Sequence, residues 1–168
     1  AETDLERLLQ KIMTVVLECS GAQHGYLLIK EQDELVVAVE NHVGKQPRLH
    51  QHHYNMDKAQ GICPSIVNYV FRTHEKIVLR DACAECDFQH LDAQIMGLRS
   101  VLCLPIINQG QLIGVLYLEN RLSVSIFKKE KTGMTELLTS QVAISLENAR
   151  LLEETRRTYQ QLQESREH

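Results

Sequence analysis

Three residues able to ligate a soft metal crowd into the stretch CAECDFQH: Cys83, Cys86 and His90. The spacing Cys-x-x-Cys-x-x-x-His suits zinc or an iron–sulfur cluster, either of which takes a fourth ligand or keeps one position open for a reason. Cys63, or one of His50, His52 and His53 in the run HQHHY, would complete the set. Two of the same residues suffice for a simpler chemistry, a thiol–disulfide switch between Cys83 and Cys86. The plain alternative is that Cys83 packs as a small apolar side chain while Cys86 sits idle on a loop. Histidines ligate metals and titrate near neutrality, but a polar loop also carries them without any role.

These residues must be positioned by the elements around them. Leu5, Leu8, Leu9, Ile12, Met13 and Val16 recur at helical spacing, with Asp4 as cap and Gly21 past the end, predicting an amphipathic helix over 5–19. Residues 26–30 and 35–40 flank a polar turn and predict a first hairpin. The polar stretch 41–61 reads as a long loop with a short strand inside it. Pro64 starts a helix that runs to 73, with Ile66, Val67, Val70 and Phe71 on its apolar face; a short strand over 76–79 follows. After a loop and a brief helix ending at Gly97 comes SVLCLPIINQGQLIGVLYLEN, residues 100–120, in which Asn108-Gln109-Gly110-Gln111 is turn chemistry between two runs apolar on both faces. Such strands belong at the centre of a sheet covered on both sides. From Lys129 nearly to the end the chain predicts one helix. Its first half is apolar through Met134, Leu137, Leu138, Val142, Ile144, Leu146, Ala149 and Leu152, and its second keeps only Thr155, Tyr159 and Leu162, a weak seam suited to a partner helix. A solvated tail is the plain alternative.

Length and composition bound the function. The 168 residues, 43% apolar, allow one domain with extensions. Net charge is −4 with acids and bases interspersed, which leaves no basic footprint for nucleic acid. No apolar run approaches the ~20 residues that cross a bilayer, and no signal peptide opens the sequence, so a soluble protein is expected. Five cysteines, an odd number, suit a reducing cytoplasm better than a disulfide scaffold. The charged helix at the end suggests a piece of a larger protein.

The order helix, hairpin, loop, helix, strand, loop, hairpin, long helix resembles a GAF domain. Residues 100–120, Phe127 and LLTSQVAISLENARLLEE at 137–154 are similar to the GAF modules of bacterial multidomain sensor kinases, and GAQHGYLLI and SIVNYVFRTHEKIVLRDA fit the same pattern. The resemblance runs from about Leu5 to Glu154. It implies an α+β fold: an antiparallel sheet of five or six strands, with a ligand pocket of loops and short helices on one face and the N- and C-terminal helices on the other. The implied division is a GAF domain over 1–154, made of the first helix at 5–19, sheet and pocket loops over 24–127 and the start of the last helix at 129–154. An exit helix over 155–168 would then lead to an effector.

Three residues depart from the family pattern: His74 stands where Gly is common past a helix end, Lys128 where Ser or Thr caps the last helix, and Gly133 lies within that helix. Of the signature of cyclic-nucleotide-binding members, Asn120 and Phe127 fit, Arg121 replaces Lys and no Asp-Glu pair follows, so structural roles account for the match. Bilin-binding members commonly carry Cys-His; Cys86 is followed by Asp87, and with 5% aromatics and no Trp a tetrapyrrole would lack stacking surface. Free methionine sulfoxide reductases share the fold, and QGICP makes Cys63 a counterpart of one of their cysteines. Their nucleophile has none in AQIMGLRS at 93–100, so no enzymatic activity is expected.

The implied pocket residues are Cys63, Asp81, Cys83, Cys86, His90, Arg99 and Tyr117. Arg99 has surface pairing, and Tyr117 ordinary core packing, as alternatives. The expected function is sensory or regulatory: a small ligand of unknown identity biases the pocket loops, and the terminal helices of a homodimer, through 5–19 and 134–162, carry the signal to a covalently linked effector such as a histidine kinase. Redox or metal sensing through Cys83, Cys86 and His90, and a ligandless dimerisation module, are the alternatives. Neither nucleic acid nor membrane is an expected partner.

Overall fold

A computed structural model describes residues 3–49, 61–85 and 91–167. The first helix, α1 (Asp4–Ser20), is capped by Thr3, whose hydroxyl accepts from the Glu6 amide at 3.1 Å, and not by Asp4, which lies in the first turn. It ends on Gly21 in the left-handed conformation and buries Leu9, Ile12, Met13, Val16 and Leu17. Strands β1 (His24–Glu31) and β2 (Glu34–His42) form the first hairpin, and β3 (Arg48–Leu49) is the short strand inside the polar stretch. Helix α2 (Pro64–Thr73) begins on proline and stops at His74, which takes the left-handed conformation usually given to glycine (φ 61°) and returns its amide to the Val70 carbonyl. Strand β4 (Ile77–Leu79) and the short helices α3 (Ala82–Glu85) and α4 (Leu91–Ile95) lead to β5 (Ser100–Asn108) and β6 (Gln111–Asn120). The turn between them places Gln109 and Gly110 at φ 51° and 77°, the paired left-handed geometry that closes a two-residue hairpin without splaying its strands.

The six strands lie in the order β3-β2-β1-β6-β5-β4, and each neighbouring pair is antiparallel. β5 and β6 are interior strands, as their two-sided apolar character requires. Alternate residues feed two separate cores. Tyr26, Val37, Val101, Cys103 and Tyr117 face Ile66, Val67 and Val70 of α2 together with Ala82, Ala93 and Leu98. Leu27, Val39, Leu102, Leu104, Leu116 and Leu118 face Met13 and Val16 of α1 and Val142 and Ala143 of α5. The α+β arrangement with helices of both ends on one face matches the expectation, and the terminal helices are bundled against each other.

The last helix, α5 (Lys129–Glu167), runs 39 residues, about 58 Å. Its packing corrects the sequence reading. The side facing inward is Thr132, Thr135, Thr139, Val142 and Ala143, while Met134, Leu137, Ile144 and Leu152 are exposed. Small side chains let the helix lie close, and each buried threonine hydroxyl donates to its own helix, at the carbonyls of Lys128, Lys131 and Thr135. Of the apolar residues read from the sequence, Val142 is buried and Leu138 and Leu146 pack partly buried against the same core; the threonines beside them escaped because threonine reads as polar.

Two glycines test this packing in opposite directions. A Cβ on Gly133, within α5, meets open space, so Gly133→Ala should raise stability by about 1 kcal/mol and the melting temperature by about 2–4 °C. A Cβ on Gly114 of β6 would meet the Leu28 carbonyl oxygen of β1. Gly114→Ala should therefore cost about 1–3 kcal/mol in urea unfolding, by prising the central strands apart.

Candidate functional site

On the face covered by α2, α3 and α4, the register sets His24 opposite both His42 and Glu119, and Tyr26 opposite both Glu40 and Tyr117. The result is a polar strip across three strands at one end of an otherwise apolar face. Glu119 is its centre and is fully buried, a costly place for a carboxylate unless donors surround it. They do. His24 Nδ1 lies 2.9 Å and Arg121 Nε 3.2 Å from Oε1, and the Tyr117 hydroxyl donates to Oε2 at 2.8 Å. That hydroxyl in turn accepts the Cys63 amide at 3.3 Å, which ties the strip to the start of α2. On the other side, the His42 ring meets the edge of His24 with centroids 4.7 Å apart, and His42 Nε2 lies 3.0 Å from Glu40 Oε1. Burial, then the Glu119 charge, pushes Tyr117 well above the ordinary phenol range, so it acts as a neutral donor.

The start of α2 is built on a second carboxylate. Asp92 of α4 accepts both the amide and the hydroxyl of Ser65, clamping α4 to α2. Burial works to raise Asp92, but the Ser65 hydrogen bonds outweigh it and hold the carboxyl below its ordinary value of 3.8. Cys63 lies at the same junction, its sulfur 3.7 Å from the Ser65 hydroxyl. Burial pushes its thiol up to about 12, against the lowering effect of Ser65, so it remains protonated at neutral pH.

Of the residues singled out in the sequence, the structure joins Cys63 with Tyr117, and separately groups Asp81, Cys83 and Arg99. Arg99 Nη1 lies 3.1 Å from Asp81 Oδ2, and Asp81 also accepts the Cys83 amide. Arg99 is thus engaged by a neighbouring carboxylate, and Tyr117 is core with its hydroxyl inside a buried network. Cys83 donates its thiol to the Leu98 carbonyl at 3.1 Å. Cys86, His90, His50, His52 and His53 lie outside the described residues. Among those described, no cluster of three or more histidine, cysteine, aspartate or glutamate side chains could hold a metal.

Sequence reasoning missed His24 and Glu119, and weighed Arg121 only as the replacement for the lysine of the cyclic-nucleotide signature. The available signal was Glu119 itself, a lone carboxylate two residues after the inward-facing Tyr117 at the end of an apolar strand, which only a cationic partner could make tolerable. Asn120 also acquires a clear structural role: Nδ2 donates to the Gly21 carbonyl at the end of α1, and Oδ1 accepts the amides of Leu122 and Ser123 on the way to α5. Phe127 is buried in the helix-side core. Structural duties therefore account for the two residues that matched the cyclic-nucleotide signature.

The thiols should separate in a reagent titration of the native protein. Exposed Cys19 should react at once, and buried Cys63 and Cys103 only on unfolding. Fast labelling of Cys63 at neutral pH, read by peptide mass spectrometry, would contradict its burial. The Asp92 clamp contributes stability above pH 3.8 that is lost as pH falls through its lowered folded value. Asp92→Asn should therefore flatten the fall of unfolding free energy below that pH.

No described helix is long and apolar enough to cross a membrane. The chain is 40% identical over 97 residues to the hybrid signal transduction histidine kinase G of Dictyostelium discoideum, covering 56% of this chain and 3% of that protein. It is 28% identical over 161 residues to histidine protein kinase 1 of Candida albicans, covering 89% of this chain and 6% of that one. It therefore spans only a small fraction of these relatives. In three dimensions it is similar to the GAF domain of PixJ from Thermosynechococcus elongatus in its blue-light-absorbing form, with a TM-score of 0.66 at 16% identity over 92% of both chains. The GAF domain family matches residues 4–146, and the chain belongs to it.

Proposed function

We propose that this GAF domain is the sensory module of a multidomain histidine kinase, which binds a small ligand on the face beneath α2–α4 and signals through α1 and α5 of a homodimer. The relatives are eukaryotic kinases, so the reading extends to sensor kinases beyond the bacterial ones the sequence resembles. The domain proper is assigned to residues 1–154 and the exit helix to 155–168. The domain itself regulates and does not catalyse; the kinase effector is covalently linked, and the setting is cytoplasmic.

One observation carries this reading: α5 leaves the globule with an apolar seam on it. Residues 150–167 are all exposed, about 27 Å of helix with no tertiary support. Most helical stability in proteins comes from packing an apolar face, which this segment lacks within one copy. Leu137, Ile144 and Leu151, at seven-residue intervals, are exposed by 71%, 48% and 46%, and Met134 and Leu162 are exposed at the interleaved positions. A second copy covering this 3.5-residue repeat is the simplest source of stability. Asn148 falls on the interleaved row with Gln141 and Thr155, where a polar residue sets register at some cost in stability. α1 adds Leu8 and Val15, also seven apart and exposed.

The ligandless dimerisation module remains the second reading, because Tyr26, Ile66, Leu98 and Tyr117 fill the core under α2 with under 2% exposure each. Redox sensing would rest on Cys83, whose thiol is engaged by Leu98, and on Cys86 beyond the described residues.

Sedimentation equilibrium should show a dimer, and Ile144→Glu with Leu151→Glu should give a folded monomer. In a Cys19→Ser background, Asn148→Cys should cross-link readily between copies if the helices run parallel and in register. A wild-type monomer throughout would overturn the dimer. Native mass spectrometry of protein taken from cells distinguishes the readings of the pocket: a retained small molecule supports sensing, and the bare chain mass in every condition supports the ligandless module.

A further inference from the structure

We propose that His24 and Arg121, braced from behind by Glu119, form a binding site for an oxyanion, a carboxylate or phosphate group of the ligand. The proposal rests on the reading that this face of the sheet takes a ligand, and adds which residues meet it and what they read.

Glu119 differs from every other carboxylate that pairs with a cation among the described residues. Its side chain is 0% exposed, whereas the partners of Arg7, Lys76, Arg80, Arg99, Arg150 and Arg157 are all open to solvent in part. A surface pair of that kind holds neither partner firmly. Here a buried acceptor fixes both donors from inside, while their own side chains remain partly open, His24 by 31% and Arg121 by 36%. Arg121 spends only Nε on Glu119, and its backbone amide is held at 2.7 Å by Gln23 Oε1. Its two terminal nitrogens meet no acceptor among the described residues. His24 spends Nδ1 on the same carboxylate oxygen, which leaves Nε2 uncommitted there. A guanidinium fork and an imidazole, oriented by one buried carboxylate, suit a planar or tetrahedral oxyanion by their donor geometry.

The site is also well placed to act. Glu119 reaches the start of α2 through Tyr117 and the Cys63 amide, and its neighbour Asn120 holds both the end of α1 and the approach to α5. An anion held by Arg121 would thus sit beside the strand end that Asn120 ties to the close of α1.

The test is long-range proton–nitrogen NMR of the histidine rings in the whole chain, with His24 assigned through His24→Gln. Sodium phosphate and sodium acetate are titrated in separate arms at fixed pH and ionic strength. The His24 resonances should move saturably, more tightly in the arm that matches the ligand's group, while His74 moves in neither. Arg121→Gln should weaken the midpoint about tenfold, the effect expected for a lost charge-assisted contact. Arg121→Lys, which keeps the charge without the fork, should fall between, and it serves in place of Arg121→Gln should that variant not fold. Linear drift of His24 in both arms, or equal midpoints in wild type and variant, would overturn the proposal. Should native mass spectrometry find an uncharged ligand while His24 ignores both anions, the anion site falls and the sensory reading stands.

Discussion

Two strands apolar on both faces cannot be left half covered in water, and that constraint organises the molecule. β5 and β6 alternate between Val101, Cys103, Val115 and Tyr117 on one side and Leu102, Leu104, Leu116 and Leu118 on the other. Burial of a side chain of this size contributes about 1.5–3 kcal/mol, so exposing either row would cost more than a marginally stable domain can lose. The chain must therefore supply a layer for each face. α1 and α5, far apart in sequence, form one; α2 with α3 and α4 forms the other.

Much of this was legible beforehand. Turn residues at 108–111, the proline at 64 and the two-sided apolar runs each dictate local geometry, and the resulting elements admit few arrangements. What escaped was information held between strands. Nothing in the spacing of His24 and Glu119, 95 residues apart, announces that register will place them opposite each other. Arg99 and Asp81, both named from the sequence, are brought together as an ion pair, which is the surface pairing held open for Arg99. The inward face of α5 was hidden for a different reason. Threonine reads as polar, but when its hydroxyl returns to the helix backbone it buries like a small aliphatic residue.

The two layers do not meet through the apolar middle of the sheet but at its polar end. There Glu119 looks toward α2, and Asn120, the next residue, toward the end of α1 and the turn at Leu122 and Ser123 that leads to α5. Neighbouring strand residues point to opposite faces by geometry alone, so a displacement of the backbone at this point is felt on both sides.

The threonine-lined contact of α5 has a mechanical consequence. Interdigitated leucines lock two surfaces in one register, since any slip drives side chains into one another. Short residues whose hydroxyls are satisfied within their own helix offer little to catch on, and they form no cross-bonds that would have to break. Along Thr132, Thr135 and Thr139 the helix rests on a smooth bearing. Resistance to slip is then left to Val142 and Ala143, which enter the core, and to the pair of Glu136 with Lys76, while the arm beyond residue 150 stands exposed.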